Sequence, residues 1–314
     1  MNAIGKPWNL SIVIPVYRAA ETLPALVAQL CQALPEIARE YEIILVNDGS
    51  PDNSWEVICQ LAREFKAVRG IDLMRNYGQH SALLAGIRAA RFAVTVTMDD
   101  DLQHPPSEIP TLLQPLTAGY DVVYGTPESE QHGLWRDLAS QLTKIVLQGA
   151  MGADTARRVS AFRALLTPVR DAFQNYHGHY VSIDVLLTWG SNRFTSVSVR
   201  HQPRLAGRSN YNFRKLVTHA LNMMTGFSTL PLQVASLIGF AFTLLGVLTL
   251  VYVIGRYLIQ GGSVPGFPFL ASTIALFSGA QLFALGIMGE YLARMHYGIM
   301  QKPPYVIRSH EDLP

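Results

Sequence analysis

The chain has 314 residues, of which 49% are hydrophobic and only 15% are charged, and its mean hydropathy is +0.18. This is apolar for a water-soluble enzyme, and a net charge of +2 gives no indication of nucleic-acid binding. Two isolated cysteines, Cys31 and Cys59, lack the spacing of metal ligands and are typical of a reducing compartment.

Apolar runs alternate with helical segments over the first part of the chain. In chain order, we predict a strand over 10–15, a helix from about 22, a strand over 41–46, a helix over 54–65, a strand over 68–73, a helix over 81–91, and strands over 94–98 and 120–124. Strands that alternate with helices in this way indicate a mostly parallel sheet with right-handed crossovers. The predicted fold class is therefore α/β.

The most distinctive stretch, residues 94–106, reads V-T-V-T-M-D-D-D-L-Q-H-P-P. A buried strand here ends in three carboxylates, and in an open α/β sheet ligands bind at the carboxyl ends of the strands. Successive strand residues point to opposite faces, so Asp99 and Asp101 share a side while Asp100 points elsewhere. Two converging carboxylates suit Mg²⁺ or Mn²⁺, which usually bind through one or two carboxylates and substrate phosphates. A solvated acidic turn is the alternative.

Two other strand ends carry polar loops. P-V-Y-R-A-A-E follows the first strand, and N-D-G-S follows the second, where Asp48 is placed to accept hydrogen bonds from a base or a ribose. An Asp-Gly turn alone is common and indicates little. The order and spacing of all three loops are much more specific, because ligands bind where such strand ends converge.

Two long stretches near the C-terminus, residues 216–255 and 257–289, contain no Asp, Glu, Lys or Arg. Each exceeds the roughly 20 residues that cross a bilayer, so we predict membrane spans at about 232–254 and 267–289. A pair of buried core helices is the alternative.

Amphipathic helices are predicted ahead of these spans. The helix over 134–149 suits packing on the domain core as well as an amphipathic surface position. The helix over 211–224 directly precedes the first span, which favours a place in the membrane interface. The domain prediction is residues 1–210 as the α/β domain, 211–229 as a juxtamembrane helix, 230–290 as two transmembrane helices and 291–314 as a cytoplasmic tail.

The flanking charges predict the orientation in the membrane. The N-terminus M-N-A-I-G-K-P-W lacks the apolar core of a secretory signal, so we expect the α/β domain in the cytoplasm. Arg214 and Lys215 precede the first span, and Arg294, Lys302 and Arg308 follow the second. The loop between the spans holds only Arg256. By the positive-inside rule both termini are cytoplasmic, and we predict a multi-pass protein of the inner membrane.

Together these motifs resemble the family 2 glycosyltransferases of GT-A fold, and most closely the polyprenyl-phosphate glycosyltransferases. That group includes dolichyl-phosphate mannose synthases, bactoprenol glucosyltransferases and undecaprenyl-phosphate aminoarabinose transferases. The matching stretches are V-I-P-V-Y, D-G-S-P-D-N-S, R-N-Y-G-Q-H-S-A-L-L-A-G, M-D-D-D-L-Q-H-P-P-S-E-I-P and L-G-I-M-G-E-Y-L-A-R. The resemblance runs from residue 12 to about 305, and R-N-Y-G-Q-H-S-A favours the aminoarabinose branch.

The resemblance implies a site for a nucleotide sugar, with UDP as the favoured nucleotide. The positions that hold the donor are matched by Pro15, Tyr17, Asp48, Arg75, Asp99 and Asp100. Arg75 belongs to the segment that lines the donor pocket, where its guanidinium can serve the base or the diphosphate. A surface salt bridge is the alternative for Arg75.

The resemblance also implies Mg²⁺ or Mn²⁺ held by Asp99, Asp101 and Gln103, which match the family's D-x-D motif and the glutamine two residues on. The reaction would be an inverting sugar transfer to polyprenyl (undecaprenyl) phosphate, in which the cation neutralises the leaving diphosphate. A lipid phosphate is already anionic near neutral pH, so it needs little help from a general base. His80 is predicted to cap the following helix rather than to act in catalysis.

The acceptor side is implied by a later motif, H-Q-P-R-L-A-G-R-S-N-Y, in which Arg204 matches the arginine of the family's R-x-x-G-x-S-K. Arg204, Arg208 and Ser209 are predicted to clamp the acceptor phosphate or the diphosphate, since guanidinium and phosphate pair through two hydrogen bonds. A plain surface loop is the alternative. Asp154 matches an acidic residue with a base or sugar-positioning role, so the predicted catalytic residues are Asp101, Asp154 and Arg204.

Four positions depart from the family pattern. An aspartate, a small residue, an arginine and a lysine of the family are replaced here by Asn47, Asp100, Ser160 and Asn210, respectively. These departures bear on the sugar and the clamp more than on the fold. The resemblance further implies a homo-oligomer, with a tetramer as one candidate.

Two alternative functions share this fold. A processive polysaccharide synthase is disfavoured because the sequence lacks the Q-x-x-R-W motif of those enzymes and has few spans for a polymer channel. A catalytically inactive membrane scaffold is disfavoured by the intact set of Asp99, Asp101 and Gln103.

Overall fold

The computed structural model describes residues 8–127, 159–178, 180–202, 230–260 and 266–311. These residues form two compact units. One unit contains the described residues up to 202 together with 301–311, and the other contains 230–260 and 266–300.

The strands and helices alternate through most of the first unit. The strands are β1 (Asn9–Val16), β2 (Glu40–Asn47), β3 (Val68–Leu73), β4 (Val94–Thr97), β5 (Val122–Pro127), β6 (Arg163–Leu166), β7 (Phe194–Val199) and β8 (Ile307–Glu311). The helices of both units are α1 (Leu23–Ile37), α2 (Ser54–Glu64), α3 (Gln79–Ala89), α4 (Ile109–Thr117), α5 (Ile183–Gly190), α6 (Leu230–Gln260) and α7 (Phe267–Ile299). Short 3₁₀ helices cover Pro106–Glu108 and Thr167–Phe173.

The eight described strands form one sheet in the order β7-β5-β6-β4-β1-β2-β3-β8. Neighbours in the central part, β4, β1, β2 and β3, are parallel, as are β5 and β7. β6 pairs antiparallel with β4 and β5, and β8 pairs antiparallel with β3. The prediction of an α/β fold with a mostly parallel sheet is thus confirmed.

The central strands are buried because helices cover both faces of the sheet. Ile12 and Ile14 of β1 lie in the main apolar cluster with Leu26 of α1. Val13 points to the other face, where α3 packs so closely that a Cβ on Gly86 would lie 2.3 Å from Val13 Cγ1. Continuous burial of such a strand is typical of a parallel sheet.

The predicted elements up to residue 127 are present, with shifts at some boundaries. α3 spans Gln79–Ala89, two residues earlier than predicted at each end. β5 spans Val122–Pro127 instead of 120–124, because it pairs with β7 along its whole length. The sequence prediction lacks β6, β7, β8 and α5, and the helices predicted over 134–149 and 211–224 lie outside the described residues.

The second unit consists of α6 and α7, which pack on each other. The rings of Phe242 and Phe277 meet edge to face at 5.8 Å between centroids, and a Cβ on Gly246 would lie 2.9 Å from Phe277 Cζ. Both helices contain segments long and apolar enough to cross a membrane, Pro231–Arg256 and Leu276–Ala293.

Large apolar side chains point outward along both helices. Leu258 and Leu282 are 76% and 70% exposed, and none of the candidate membrane segments is buried within the protein. The alternative of buried core helices therefore does not describe α6 and α7. α7 has 33 residues, about 50 Å at 1.5 Å per residue, and is longer than the hydrocarbon core of a bilayer requires.

The tail after α7 returns to the sheet of the first unit. β8 lies beside β3, with Gly70 opposite Glu311 and Leu73 opposite Ile307. The segment predicted as a separate tail, 291–314, thus contributes the last two turns of α7 and then an edge strand of the α/β domain.

Candidate active site

The loops after β1, β2 and β4 meet at one edge of the sheet, as predicted. The backbone N–H of Asp48 donates to the carbonyl of Val16 at 2.9 Å, and that of Met98 donates to the carbonyl of Val13 at 3.2 Å. These bonds join the ends of β2 and β4 to β1, which lies between them in the sheet. The candidate site is therefore built from three adjacent strand ends.

Asp48 ties the turn after β2 to the loop after β3. Its two carboxylate oxygens accept the backbone N–H groups of Tyr77 at 2.7 Å and Gly78 at 2.8 Å. Burial raises the pKa of Asp48, and the two N–H donors oppose that rise. A contact of Asp48 with a base or a ribose stays a prediction, since the bonds present here hold protein loops.

Gly49 allows the same two loops to touch. It has φ = +59°, and a Cβ at this position would lie 2.4 Å from the carbonyl carbon of Arg75 and 2.5 Å from the nitrogen of Asn76. Because the obstructing atoms are backbone, they cannot rotate away. Glycine is required here both by the left-handed backbone and by the close approach.

Arg75 and Tyr17 are the exposed members of the predicted donor set. The guanidinium of Arg75 lies 4.5 Å from the ring centroid of Tyr77, and among the described residues it forms no ion pair. The alternative of a surface salt bridge for Arg75 stays open. Tyr17 is 42% exposed, whereas Pro15 is buried within β1, and contact of all three with a nucleotide stays a prediction.

The three carboxylates after β4 accept hydrogen bonds from different directions. Asp99 accepts from Nε2 of Gln79 at 2.6 Å, Asp100 from the backbone N–H of Tyr17 at 3.2 Å, and Asp101 from the N–H of Gln103 at 3.1 Å. Asp100 thus fastens the loop after β1 to the loop after β4. Sequence reasoning missed Gln79, although it stands in the R-N-Y-G-Q-H stretch beside the residues that were considered.

Negative charge accumulates in this loop. Burial raises the pKa of Asp100 to about 7, with further increases from Asp99 and Asp101 against the lowering effect of the Tyr17 N–H group. Such a set of oxygen ligands fits Mg²⁺ or Mn²⁺. Among the described residues no three or more His, Cys, Asp or Glu side chains form a metal cluster.

His104 connects the loop after β4 to the segment that follows β7. Its ring stacks on Phe162 at 4.9 Å and meets the ring of His201 edge-on at 5.0 Å, while the N–H of Gln202 donates to the carbonyl of Gln103 at 2.9 Å. Burial, and next His201, lower the pKa of His104 to about 4, so it is neutral near pH 7. His104 was not among the predicted site residues, although it directly follows D-D-D-L-Q.

The prediction for His80 is wrong. α3 begins at Gln79 after Gly78, with no side-chain cap. The Nδ1 of His80 instead accepts the backbone N–H of Ile183, at 3.3 Å, at the start of α5. His80 therefore links two helices beside the site.

Four predicted site residues lie outside the described residues. They are Asp154, Arg204, Arg208 and Ser209. Their roles in catalysis and in the acceptor clamp stay predictions.

A mixed α/β sheet whose β1, β2 and β4 loops converge on a D-x-D carboxylate pair defines a glycosyltransferase of GT-A type. Residues 11–168 match the family model described as Glycosyl transferase family 2. The chain belongs to glycosyl transferase family 2.

Relatives and solved structures agree with this family. The chain is 35% identical over 304 residues to the undecaprenyl-phosphate 4-deoxy-4-formamido-L-arabinose transferase of Pectobacterium carotovorum, covering 96% of this chain and 93% of that protein. The enzyme of the same name from Yersinia pestis has the same identity and coverage. These relatives confirm the resemblance to the polyprenyl-phosphate branch.

The fold also matches that of Mycobacterium tuberculosis glucosyl-3-phosphoglycerate synthase, solved with Mn²⁺, UDP and phosphoglyceric acid. The TM-score is 0.52 at 16% identity, over 70% of this chain and 77% of that chain. At this identity the similarity concerns the fold.

Proposed function

We propose that the protein transfers a sugar from a nucleotide sugar, with UDP as the nucleotide, to a polyprenyl phosphate such as undecaprenyl phosphate. The observation that supports this most is that hydrogen bonds of Asp48, Asp100 and Gln79 join the four loops that follow β1, β2, β3 and β4. These bonds support a nucleotide-binding turn next to a metal-binding loop. The relatives named as undecaprenyl-phosphate transferases support the acceptor.

The donor side would use the loops after β1, β2 and β3. The exposed Arg75 guanidinium and Tyr17 ring are the groups available to a diphosphate or a base. The M. tuberculosis synthase holds UDP on the same fold, which makes UDP the first nucleotide to test. The name of the relatives makes 4-deoxy-4-formamido-L-arabinose the first sugar to test.

Asp99, Asp101 and Gln103 would hold Mg²⁺ or Mn²⁺. When bound, the cation would neutralise the negative charge that develops on the leaving diphosphate. Within the protein, Gln79 orients the Asp99 carboxylate, and Asp101 is oriented by the N–H of Gln103. Preorganised ligands of this kind stabilise developing charge without reorganising during the reaction.

The acceptor would approach from the side of residues 203–229. Arg204, Arg208 and Ser209 are proposed as the clamp for the lipid phosphate, and Asp154 as a base or sugar-positioning residue. The lipid phosphate is already anionic, so positioning matters more than deprotonation.

We further propose that α6 and α7 anchor the protein in the inner membrane with the α/β unit in the cytoplasm. The outward-facing apolar side chains of both helices and the charge distribution around them support this. The domains are then the α/β unit, a juxtamembrane segment at 211–229 and a membrane hairpin. A homo-oligomer, with a tetramer as one candidate, is proposed from the family resemblance alone.

The test is transfer from a panel of radiolabelled nucleotide sugars to undecaprenyl phosphate, with Mg²⁺, Mn²⁺ or EDTA. A chloroform-soluble product that requires metal and arises from one donor supports the proposal. Elongating, acceptor-independent polymer would instead support a processive synthase. Nucleotide binding without transfer from any donor would support the scaffold, and no nucleotide binding at all would contradict the enzyme proposal.

A further inference from the structure

A second buried carboxylate, Asp72, lies near the nucleotide turn without belonging to the predicted site. It is the penultimate residue of β3 and is 1% exposed. Its Oδ1 accepts from Nδ2 of Asn47 at 2.7 Å, and its Oδ2 lies 3.3 Å from Nη1 of Arg308. A buried charge is tolerated only when it is paired and hydrogen-bonded, so Asp72 depends on these two partners.

Arg308 belongs to β8, the strand that follows the membrane hairpin. Besides pairing with Asp72, it donates from Nη2 to the carbonyl of Met74 at 2.8 Å. The N–H of Met74 in turn donates to the carbonyl of Val306 at 2.9 Å. β8 therefore fixes the backbone where β3 ends, one residue before Arg75.

Asn47 carries the same network into the turn after β2. While its Nδ2 donates to Asp72, its Oδ1 accepts the N–H of Ser50 at 3.3 Å. An aspartate at position 47 could still accept the N–H of Ser50. It would face the carboxylate of Asp72, however, without a hydrogen to donate. The departure from the family's Asp-Asp-Gly-Ser pattern thus has a physical reason in this chain.

The turn after β2 is in turn bound to the loop after β3. Asp48 holds Tyr77 and Gly78, and Gly49 rests on the backbone of Arg75. A continuous set of contacts accordingly runs from β8 to the turn after β2 and the loop after β3.

We infer that Asp72 and Arg308 are positioning residues for nucleotide binding, so that the C-terminal strand is part of the donor site's support. This inference rests on the proposed function, because it takes the turn at 47–50 and the loop at 75–78 to bind the nucleotide. A role confined to the sheet edge would change stability and leave nucleotide affinity unaltered.

The experiment compares Arg308→Gln, Asp72→Asn, Asn47→Asp and the exchange variant Asn47→Asp/Asp72→Asn in the full-length enzyme in nanodiscs. The matched control is Arg63→Gln, because Arg63 forms a different ion pair with β8, to Glu311 at 3.5 Å, away from the turn. The readouts are the Kd for UDP by calorimetry, donor KM and kcat, and amide exchange of Ser50, Tyr77 and Gly78.

Asn47→Asp should raise the Kd for UDP and the donor KM about tenfold, because it sets two carboxylates against each other. The exchange variant should recover most of this loss, since the amide introduced at position 72 donates to the carboxylate introduced at position 47. Arg308→Gln should raise the Kd about three- to tenfold with kcat at saturating donor little changed. Arg63→Gln should change none of these values.

Equal effects of Arg308→Gln and Arg63→Gln, or a lower Tm with unchanged Kd in all four variants, would overturn the inference. So would an exchange variant no better than Asn47→Asp. If the wild-type enzyme binds no nucleotide, the proposed function fails and the positioning role for nucleotide fails with it. Amide exchange needs no ligand, and faster exchange of Tyr77 and Gly78 in Arg308→Gln would still show that β8 holds the turn.

Discussion

The candidate site has two parts, a nucleotide side formed by the loops around Asp48 and a metal side formed by Asp99–Asp101. They differ in how far hydrogen bonds within the protein balance their polar and charged groups. Around Asp48, both carboxylate oxygens accept backbone N–H groups, and Gly49 packs on the next loop. Around Asp99–Asp101, three carboxylates follow one another, and the pKa of Asp100 rises to about 7. The first side is preformed by internal bonds, whereas the second carries charge that a cation or a proton must relieve.

This difference separates the expected effects of substitution. Changes on the nucleotide side should alter stability and donor affinity together, because the same bonds serve both. Changes on the metal side should alter turnover and metal requirement and leave the fold intact, since removing surplus charge does not weaken packing.

The largest effect is expected for Asp101→Asn, which removes one charge of the proposed metal pair. Turnover should fall on the order of a thousand-fold, because neutralising transition-state charge is worth several kcal/mol. Transfer assays across Mg²⁺ and Mn²⁺ concentrations check this. The control is Asp171→Asn, at an exposed position after β6. Near-normal turnover of Asp101→Asn would contradict the proposed role of Asp101 as a metal ligand.

Next in size is Gly49→Ala on the nucleotide side. The added Cβ meets the Arg75 carbonyl carbon at 2.4 Å in a left-handed backbone, so the variant should lose about 2–3 kcal/mol of stability. The Tm should fall and the Kd for UDP should rise. Gly119→Ala is a useful comparison, because Gly119 also has a positive φ but has no atom within 4 Å of the added Cβ. Equal losses in both variants would mean that backbone strain, not the loop contact, matters.

A smaller effect concerns pH. The folded-state pKa of Asp100 is raised from 3.8 to about 7, so the folded protein binds this proton more tightly than the unfolded chain does. In EDTA, this proton's contribution to stability should therefore be lost as the pH rises from about 4 to 7. The fall in Tm over this pH range should be a few degrees smaller in Asp100→Asn than in the wild type. The difference between the wild-type and variant Tm curves isolates Asp100. Parallel curves would contradict the assigned cause.

The smallest effect is expected for Gln79→Ala, which removes the hydrogen bond to Asp99 but no charge. The metal concentration needed for half-maximal activity should rise about tenfold, as for other groups that orient metal ligands. Gln32→Ala, on the exposed side of α1, should leave it unchanged. A lower kcat at saturating metal would instead indicate a direct role of Gln79 in the reaction.

The elements that could be predicted from the sequence are β1 to β4 and the loops that follow them, because local patterns determine their structure. The strands β1 to β4 are buried β-branched or apolar runs that end in polar loops, and both features can be read from the chain alone. Their parallel order then brings Asp48 and Asp99–Asp101 to one edge. The family resemblance added the roles but not the contacts.

The remaining strands depend on distant partners. β6 is four residues long and buries Arg163, which is possible only because Asp184 and Tyr124 surround its guanidinium. β8 reads I-R-S-H-E and has no apolar alternation, so only its pairing with β3 makes it a strand. β7, F-T-S-V-S-V, alternates only from Val197 to Val199, which is too short a stretch to predict a strand.

The same limit applies within the site. Arg308 and Asp72 are 236 positions apart in sequence, and no local pattern connects them. Asn47 was noted only as a departure from the family, and its reason became visible once its neighbour across the sheet was known.

The return of the chain into β8 also constrains how the protein threads through a bilayer. Residues up to 202 and residues 307–311 share one sheet, so they must lie in the same aqueous compartment. The chain between them can therefore cross the membrane only an even number of times. This parity rule excludes a single-pass anchor and requires that reporters fused to the two termini face the same side.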